Sequence, residues 1–443
     1  MPRFFRANTR GSLSEAREAR SASEGDIVSQ GVIRAAATEQ APKMLVSRMQ
    51  DHIVETDDGH LHMMLNLGPN RGLTLLSSTD NAKTWTIAAQ FDDAALRTSS
   101  DIRLTDDGDK LLVVYSNDTK GITYVGLDYN ARNGAWSVEE TSEVTSFGID
   151  ADTTNPTIVE GGTGNLLVAY NMSTDRGVRG VLAGSQDGEN WVKVSGLDPT
   201  AQTGALRVMA TPDGFGGIYA SKNEIFWVTL ENNEWVYEKI ADNGPVGLYA
   251  THFSTTTVGD DIFLASVSAD NRITFLHYDG ATKTWSDGVT PPSTVGDKVS
   301  SVQMSADTDG NIYLTYDDYD DGTLVVIKSI DEGDTWVPEA VLDVPRLYEQ
   351  APVRWFETPE HFDDELLVVS QFYFPGLDGF KGPNGLYHFV VDTDPSSSSA
   401  PAVAAASGGR AFSGPFFSGD SGADFSGLRA AFSQHHDDVS PLA

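Results

Sequence analysis

Tryptophan recurs along the chain roughly every 50 residues, and this spacing constrains the fold more than any other feature. The series comprises Trp85, Trp136, Trp191, Trp235, Trp285 and Trp336. A turn rich in Asp and Gly precedes each tryptophan, such as ETDDGH at 55–60 before Trp85, and Asp-Gly pairs favour the positive φ angles of tight hairpins. A short apolar run follows each turn, as LLVVYS does at 111–116, which is typical of a buried second strand.

Seven such units fit between about residue 45 and residue 393. Repeats of this length with four short strands are typical of a β-propeller, because solenoid repeats are shorter. The seventh unit reaches a Ser- and Ala-rich stretch before any fourth strand, whereas 26–36 (DIVSQGVIRAA) is strand-like and has no partner. We therefore predict an all-β, seven-bladed β-propeller over 26–394, with 26–36 as the closing outer strand of the last blade, which removes an exposed edge.

Three of the tryptophan turns follow the pattern S-x-D-x-G-x-T-W. The matching residues are Ser78, Asp80 and Trp85 in the first turn, Ser185, Asp187 and Trp191 in a version one residue shorter, and Ser329, Asp331, Gly333 and Trp336 in a complete version. The pattern resembles the Asp-box, or bacterial neuraminidase repeat, of the sialidase-like β-propeller superfamily. This resemblance implies that each box joins the third and fourth strands of a blade at the outer rim and has a structural role.

A sialidase-like site, as the resemblance implies it, lies at the propeller axis and contains three arginines, a Tyr nucleophile with a Glu base, and an Asp acid. The candidates for it are Arg48, Asp101, Arg207, Tyr348, Glu349 and Arg354, and Asp51, His52 and Arg103 could also face the axis. The chain lacks the F/Y-R-I-P motif that normally introduces the first arginine, and sialidases usually have six blades. We therefore interpret these side chains as the lining of a polar channel, with an arginine triad as the alternative.

The composition excludes several classes of partner and cofactor. The chain has 64 acidic and 30 basic residues, a formal net charge of −34 and no cysteine, so we expect no nucleic acid partner and no thiolate metal site. An EF-type calcium loop starting at Asp317 fails at Tyr319 and Lys328. His435, His436, Asp437 and Asp438 form a polar tail segment, and no cofactor motif is present, so we predict neither a cofactor nor a metal site.

The two ends of the chain differ in composition from the propeller. Residues 1–25 form a basic N-terminal arm in an otherwise acidic chain. Residues 395–443 form a tail rich in Ser, Ala and Gly, in which Phe412, Phe417, Phe425 and Phe432 each precede a serine. Flexible linkers avoid Phe, and a basic arm is attracted to acidic neighbours. We therefore predict that both ends bind protein partners in a multi-subunit assembly.

These features favour a non-catalytic Asp-box propeller that serves as a structural or receptor- and glycan-binding component of an extracellular assembly, foremost a virion. The alternatives are a sialidase-like exo-glycosidase and an intracellular scaffold or assembly-factor propeller. The charged N-terminus is not followed by an apolar segment, and no run of 18 apolar residues occurs. We therefore expect no secretory signal and no membrane insertion, and an extracellular or virion location reached without the standard secretory route.

Overall fold

The computed structural model is a ring of seven mainly antiparallel sheets, six with four strands and one with five, and it confirms the predicted seven-bladed β-propeller. It describes residues 27–36, 45, 49–68, 71–94, 99–105, 107–144, 152–174, 177–194, 205–212, 214–221, 224–231, 234–242, 252–294, 298–344, 355–373 and 384–393. The arm at 1–25 and the tail at 395–443, including Phe412, Phe417, Phe425 and Phe432, lie outside these residues. Within the described ranges, no helix is long and apolar enough to span a membrane.

The strands are numbered in chain order. The first is β1 (Ile27–Val32), and blade one contains β2 (Ile53–Glu55), β3 (Leu61–Asn66), β4 (Leu73–Ser78) and β5 (Thr86–Phe91). Blade two contains β6 (Ser100–Leu104), β7 (Lys110–Ser116), β8 (Ile122–Asn130) and β9 (Ala135–Glu143). Blade three contains β10 (Asp152–Glu160), β11 (Leu166–Thr174), β12 (Gly177–Ser185) and β13 (Val192–Val194). Blade four contains β14 (Ala205–Thr211), β15 (Gly214–Ser221), β16 (Glu224–Glu231) and β17 (Glu234–Ala241).

The remaining blades follow the same plan. Blade five contains β18 (Phe253–Val258), β19 (Asp261–Val267), β20 (Ile273–Asp279) and β21 (Thr284–Trp285). Blade six contains β22 (Val302–Asp307), β23 (Ile312–Asp318), β24 (Thr323–Ser329) and β25 (Val337–Leu342). Blade seven contains β26 (Phe356–Glu357), β28 (Glu365–Tyr373), β29 (Asn384–Asp392) and β1, and β27 (His361–Phe362) lies between β26 and β28 in the chain. Two short 3-10 turns cover Arg34–Ala36 and Pro292–Thr294.

The strand β1 occupies the outer position of blade seven, where the sequence places the segment 26–36. It pairs antiparallel with β29, with Gln30 opposite Phe389 and Val32 opposite Tyr387. The last sheet therefore has the order β1-β29-β28-β26, and its outer strand comes from the other end of the chain. This pairing covers an edge of β29 that would otherwise present unpaired backbone groups.

Apolar side chains fill the seams between adjacent blades, because the middle strands of each sheet are buried on both faces. In β28, Leu366 and Val368 pack towards blade six, whereas Leu367 and Val369 pack towards blade one. Among the described residues, one hydrophobic cluster lies in each of the seven seams, including the seam between blades seven and one. The core of this protein is thus a circle of interfaces between sheets, and it leaves the axis to polar residues.

Candidate functional site at the propeller axis

Charged side chains from four blades meet at the propeller axis. They are Asp51, which precedes β2, Asp101 and Arg103 in β6, Arg207 in β14, and Glu360 in the turn after β26. Blade four does not adjoin blades one, two or seven, so Arg207 can contact the residues of those blades only across the centre of the ring. The axis is therefore the place where the innermost strands bring distant parts of the sequence together.

Arg207 lies at the centre of this cluster, and only 1% of the residue is exposed. Its Nη1 donates to Asp101 Oδ1 at 2.6 Å, and its Nη2 contacts Asp51 and lies 3.5 Å from Glu360 Oε2. Burial alone lowers the pKa of Arg207, but the carboxylates of Asp101, Asp51 and Glu360 outweigh burial and raise it. The guanidinium is therefore held charged and surrounded by carboxylates from three other blades.

Asp101 is fixed from two further directions, because backbone amides of two neighbouring blades donate to its carboxylate. The Asp51 amide donates to Oδ1 at 2.7 Å, and the Ile158 amide donates to Oδ2 at 2.8 Å. Together with Arg207, these bonds occupy both carboxylate oxygens of a fully buried side chain. Such a carboxylate links blades one, two, three and four, and both of its oxygens already accept hydrogen bonds from the protein.

Arg103 supplies the second guanidinium of the cluster. Its Nη2 lies 2.8 Å from Glu360 Oε2 and 3.4 Å from Asp51 Oδ2. The Arg103 side chain is 18% exposed, so it is the more open of the two arginines. Two guanidinium groups thus face the three carboxylates of Asp51, Asp101 and Glu360, and ion pairing satisfies most of the charge at the axis.

Glu360 reaches the axis because the turn after β26 leaves its own blade and docks on blades five and six. Ala306 donates its amide hydrogen to the Glu360 carbonyl at 2.9 Å, and Thr256 Oγ1 donates to the same oxygen at 3.0 Å. The strand β27 that follows pairs in parallel with β22 of blade six. This turn crosses between blades and places an acidic side chain against both arginines.

A second titratable pair, formed by His52 and Glu357, lies beside the arginine cluster. His52 Nδ1 is 3.3 Å from Glu357 Oε2, and each side chain is 2% exposed. Burial raises the pKa of Glu357 to about 7, although His52 opposes this shift. Burial lowers the pKa of His52, but Glu357 outweighs that effect, and the pKa of His52 is raised above its ordinary value. Glu357 therefore stays protonated, and His52 stays charged, to a higher pH than an ordinary carboxyl or imidazole group.

The structure brings together only part of the predicted site. Asp101 and Arg207 contact each other directly, whereas Arg48, Tyr348, Glu349 and Arg354 lie outside the described residues. The sequence analysis missed Glu357 and Glu360. A signal for them exists in the stretch ETPEHFDDE at 357–365, where one acidic residue ends the short inner strand of blade seven and others follow it.

The three box turns lie away from this cluster, between the third and fourth strands of blades one, three and six, and share one hydrogen-bond pattern. In the complete box, Asp331 Oδ1 accepts from the Thr335 amide at 2.8 Å, and the Gly333 amide donates to Ser329 Oγ at 2.9 Å. Trp336 Nε1 donates to the Gly333 carbonyl at 3.0 Å. The bonds of the first turn are equivalent, and in the shorter turn Asn190 takes the place of the threonine.

These bonds stabilise the ionised form of each box aspartate. Hydrogen bonds from Asn190 lower the pKa of Asp187 to about 2, and bonds from Thr84 and Thr335 lower the pKa values of Asp80 and Asp331. Each box tryptophan packs at the edge of the seam with the preceding blade and is partly rather than fully buried. The hydrogen bonds stabilise the turn, and the tryptophan packs the turn on the preceding blade. Both are structural roles.

Comparison with known proteins yields similarities of structure alone. No family model and no curated protein sequence matches the chain. The six-bladed fungal lectin from Aleuria aurantia, described as having a novel fucose recognition mode, is 13% identical and has a TM-score of 0.46; the match covers 69% of this chain and 99% of that chain. The protein AofleA from Arthrobotrys oligospora is 14% identical with a TM-score of 0.47, and the match covers 71% of this chain and 89% of that one.

The polysaccharide lyase Uly1 is also similar, at 11% identity and a TM-score of 0.46, over 78% of this chain and 90% of the lyase. All three similarities have TM-scores below 0.5 and identities below 15%. The architecture of this chain therefore rests on its own strand pairing and inter-blade cores.

Proposed function

We propose that this chain is a non-catalytic member of the Asp-box propeller superfamily. In this proposal it is a structural or receptor- and glycan-binding component of an extracellular assembly, foremost a virion. The observation that carries the proposal is the enclosure of Arg207 by Asp51, Asp101 and Glu360. The hydrogen-bond pattern of the three box turns supports membership in the superfamily, because the same Ser, Asp and Trp positions make the same contacts in each.

The enclosure argues against a sialidase-type site at the described part of the axis. A site for a substrate carboxylate needs guanidinium groups whose donors are available to it. Both Nη atoms of Arg207 already contact carboxylates, and the side chain is 1% exposed. A substrate carboxylate would have to displace a buried partner and leave its charge unpaired, which is strongly unfavourable.

The outer rim supports a role in assembly. Every blade exposes β-branched residues at its outermost position, and these are Val28 and Val32, Ile87, Val138, Val192, Val236, Val289 and Val337. Outer strands carry backbone groups that can pair with another chain, and aliphatic side chains beside them add apolar contact. The rim is therefore suited to contacts with neighbouring proteins.

The experiment uses full-length variants that alter one end of the chain at a time. In one variant, Phe412, Phe417, Phe425 and Phe432 become Ser; in the other, the arginines of residues 1–25 become Ser. Apolar burial is not weakened by salt, whereas charge attraction is screened over about 8–10 Å. We expect the Phe-to-Ser variant to lose association with its protein partners at every salt concentration. The Arg-to-Ser variant should lose this association mainly at low salt. Sedimentation velocity measures both.

Unchanged association in both variants would overturn the assembly role of the two ends. Turnover of sialosides by the full-length chain, abolished by Arg207→Ala without loss of folding, would overturn the non-catalytic role. A glycan array probed with the same protein tests the receptor- and glycan-binding role, and the absence of any bound glycan would leave only the structural role.

A second candidate, a sialidase-like glycosidase, is favoured by one observation. The His52–Glu357 pair is buried beside the arginine cluster and the pKa values of both groups are raised, and such perturbed groups are common at catalytic sites. In this case Glu357→Gln abolishes glycoside hydrolysis while the far-UV spectrum and melting temperature stay close to those of the parent chain. Hydrolysis that survives this substitution would exclude Glu357 as the acid.

A further inference from the structure

We propose a site for a divalent transition-metal ion at the seam between blades five and six, formed by Asp261, His277 and Glu332. The potential ligand atoms of the three residues all lie within 4.8 Å of one another. Asp261 Oδ2 is 3.1 Å from His277 Nε2. The site lies on the outer part of two blades and is separate from the arginine cluster, so it does not depend on the proposed function.

The ligand set selects the class of ion. An imidazole nitrogen favours Zn²⁺ and its first-row neighbours, whereas Ca²⁺ and Mg²⁺ prefer oxygen ligands alone. Zinc bonds of about 2.0–2.1 Å in tetrahedral geometry place adjacent ligand atoms roughly 3.3 Å apart. The 3.1 Å separation of Asp261 Oδ2 and His277 Nε2 is close to that value. Glu332 supplies the third ligand, and water supplies the fourth.

Two of the ligands are held in place by their surroundings. The His277 ring stacks on Phe263, with ring centroids 4.6 Å apart and an interplanar angle of 17°. Asp261 Oδ1 accepts from the Gly280 amide at 2.8 Å, which leaves Oδ2 directed at the imidazole. Outer contacts of this kind orient metal ligands and increase affinity.

The third ligand is positioned by the complete box of blade six. Glu332 has a φ of 58°, in the left-handed region, and it precedes Gly333. A Cβ atom at Gly333 would lie 2.2 Å from the Phe275 ring, so the turn packs tightly on blade five. Trp336 adds an edge-to-face contact with Phe275 at 5.2 Å between centroids. The box therefore brings Glu332 to Asp261 and His277 across the seam.

The equivalent seam between blades seven and one carries different side chains from the seam between blades five and six. Asn81 occupies the position of Glu332 in the first box, and its Nδ2 donates to Glu365, the first residue of β28. Asp261 is likewise the first residue of β19. One seam thus pairs an amide with a carboxylate, whereas the other directs two carboxylates and an imidazole at one point. Like charges at this distance repel, and a bound cation compensates them.

The test is isothermal titration of the full-length chain with ZnCl₂ after treatment with a chelator and buffer exchange. His435 and His436 are replaced by Ala in every sample, because they offer a second set of ligands. The variants are His277→Gln and Glu332→Gln, and the matched control is Asp334→Asn, an exposed acid in the same turn. CaCl₂ is titrated in parallel.

We expect one Zn²⁺ per chain, with affinity at least roughly tenfold weaker in both variants and unchanged in the control. Saturating Zn²⁺ should raise the melting temperature of the parent by a few degrees and that of Glu332→Gln by much less. No binding at millimolar Zn²⁺, equal binding in Glu332→Gln, or tighter binding of Ca²⁺ than of Zn²⁺ would each overturn the proposal.

Discussion

The guanidinium of Arg207 and the carboxylate of Asp101 are 2.6 Å apart and join blade four to blade two across the propeller axis. The two residues are 106 positions apart in the chain, and both are almost completely buried. The inter-blade cores connect adjacent sheets, whereas this ion pair connects two sheets that are not neighbours in the ring. It therefore acts as a brace across the ring.

We predict that Arg207→Ala lowers the free energy of unfolding by about 3–5 kcal/mol, because it leaves buried carboxylates without a partner. Urea denaturation of the full-length chain measures the loss. Lys239→Ala, which removes a cation paired with Glu224 and Asp242 at the surface, is the control and should leave the denaturation midpoint unchanged. A loss below about 1 kcal/mol for Arg207→Ala would mean that the axial network does not brace the ring.

The fold could be predicted from the sequence because each blade carries its own local signals. Turns rich in Asp and Gly and apolar second strands recur along the chain, and a tryptophan recurs in the first six units. Each unit must also bury both faces against its neighbours. The position of β1 follows from counting strands, since the last unit lacks one and the segment before the first unit has no other partner.

The site could be predicted only in part, because its residues belong to different blades. Asp101 and Arg207 could be nominated as polar residues at the start of inner strands, but the sequence does not show that they pair with each other. Glu360 depends on the path of a turn that docks on blades five and six. The cluster of Asp261, His277 and Glu332 has no sequence signature, since its members come from two blades and are joined only by the seam.

The first and the complete box allow a matched test of backbone strain. Gly333 has a φ of 93° and packs on the Phe275 ring, whereas Ala82 occupies the equivalent position of the first box at a φ of 59°. We predict that Gly333→Ala lowers the free energy of unfolding by about 2–4 kcal/mol through strain and overpacking. Ala82→Gly should change it by less than about 1 kcal/mol. Equal losses of stability for Gly333→Ala and Ala82→Gly in a thermal or urea melt would show that strain and overpacking do not distinguish the two turns.

Trp336 tests whether the box tryptophan stabilises the seam between blades. Its ring contacts Phe275, and its Nε1 donates to the Gly333 carbonyl at 3.0 Å, but the residue is only partly buried. Trp336→Ala should therefore cost about 2–3 kcal/mol, less than the range for a fully buried aromatic. Trp336→Phe keeps most of the packing and should cost about 1 kcal/mol. Urea denaturation midpoints, at an unchanged m-value, measure both losses of stability. An unchanged midpoint in both variants would show that Trp336 does not stabilise the seam.

The His52–Glu357 pair predicts that stability falls as pH rises from 5 to 8. Burial raises the pKa of Glu357 from 4.5 to about 7, so the folded chain binds this proton more strongly than the unfolded chain. The contribution is fully present below about pH 4.5 and is lost as the pH approaches 7. The raised pKa of His52 acts in the same direction, since its contribution is present below pH 6.5 and is lost as the pH rises through the folded value.

We expect Glu357 alone to lower the free energy of unfolding by about 2–3 kcal/mol between pH 5 and pH 8. Glu55, whose pKa burial also raises to about 7, adds to this decrease. Urea titrations at half-unit pH steps measure the slope. Glu357→Gln removes the carboxyl and the attraction that keeps His52 charged, so its profile should be flatter over the same range. Glu238→Gln, at an exposed position, should reproduce the parent profile. A parent profile that rises with pH, or a Glu357→Gln profile as steep as the parent's, would show that the buried pair does not set the pH dependence.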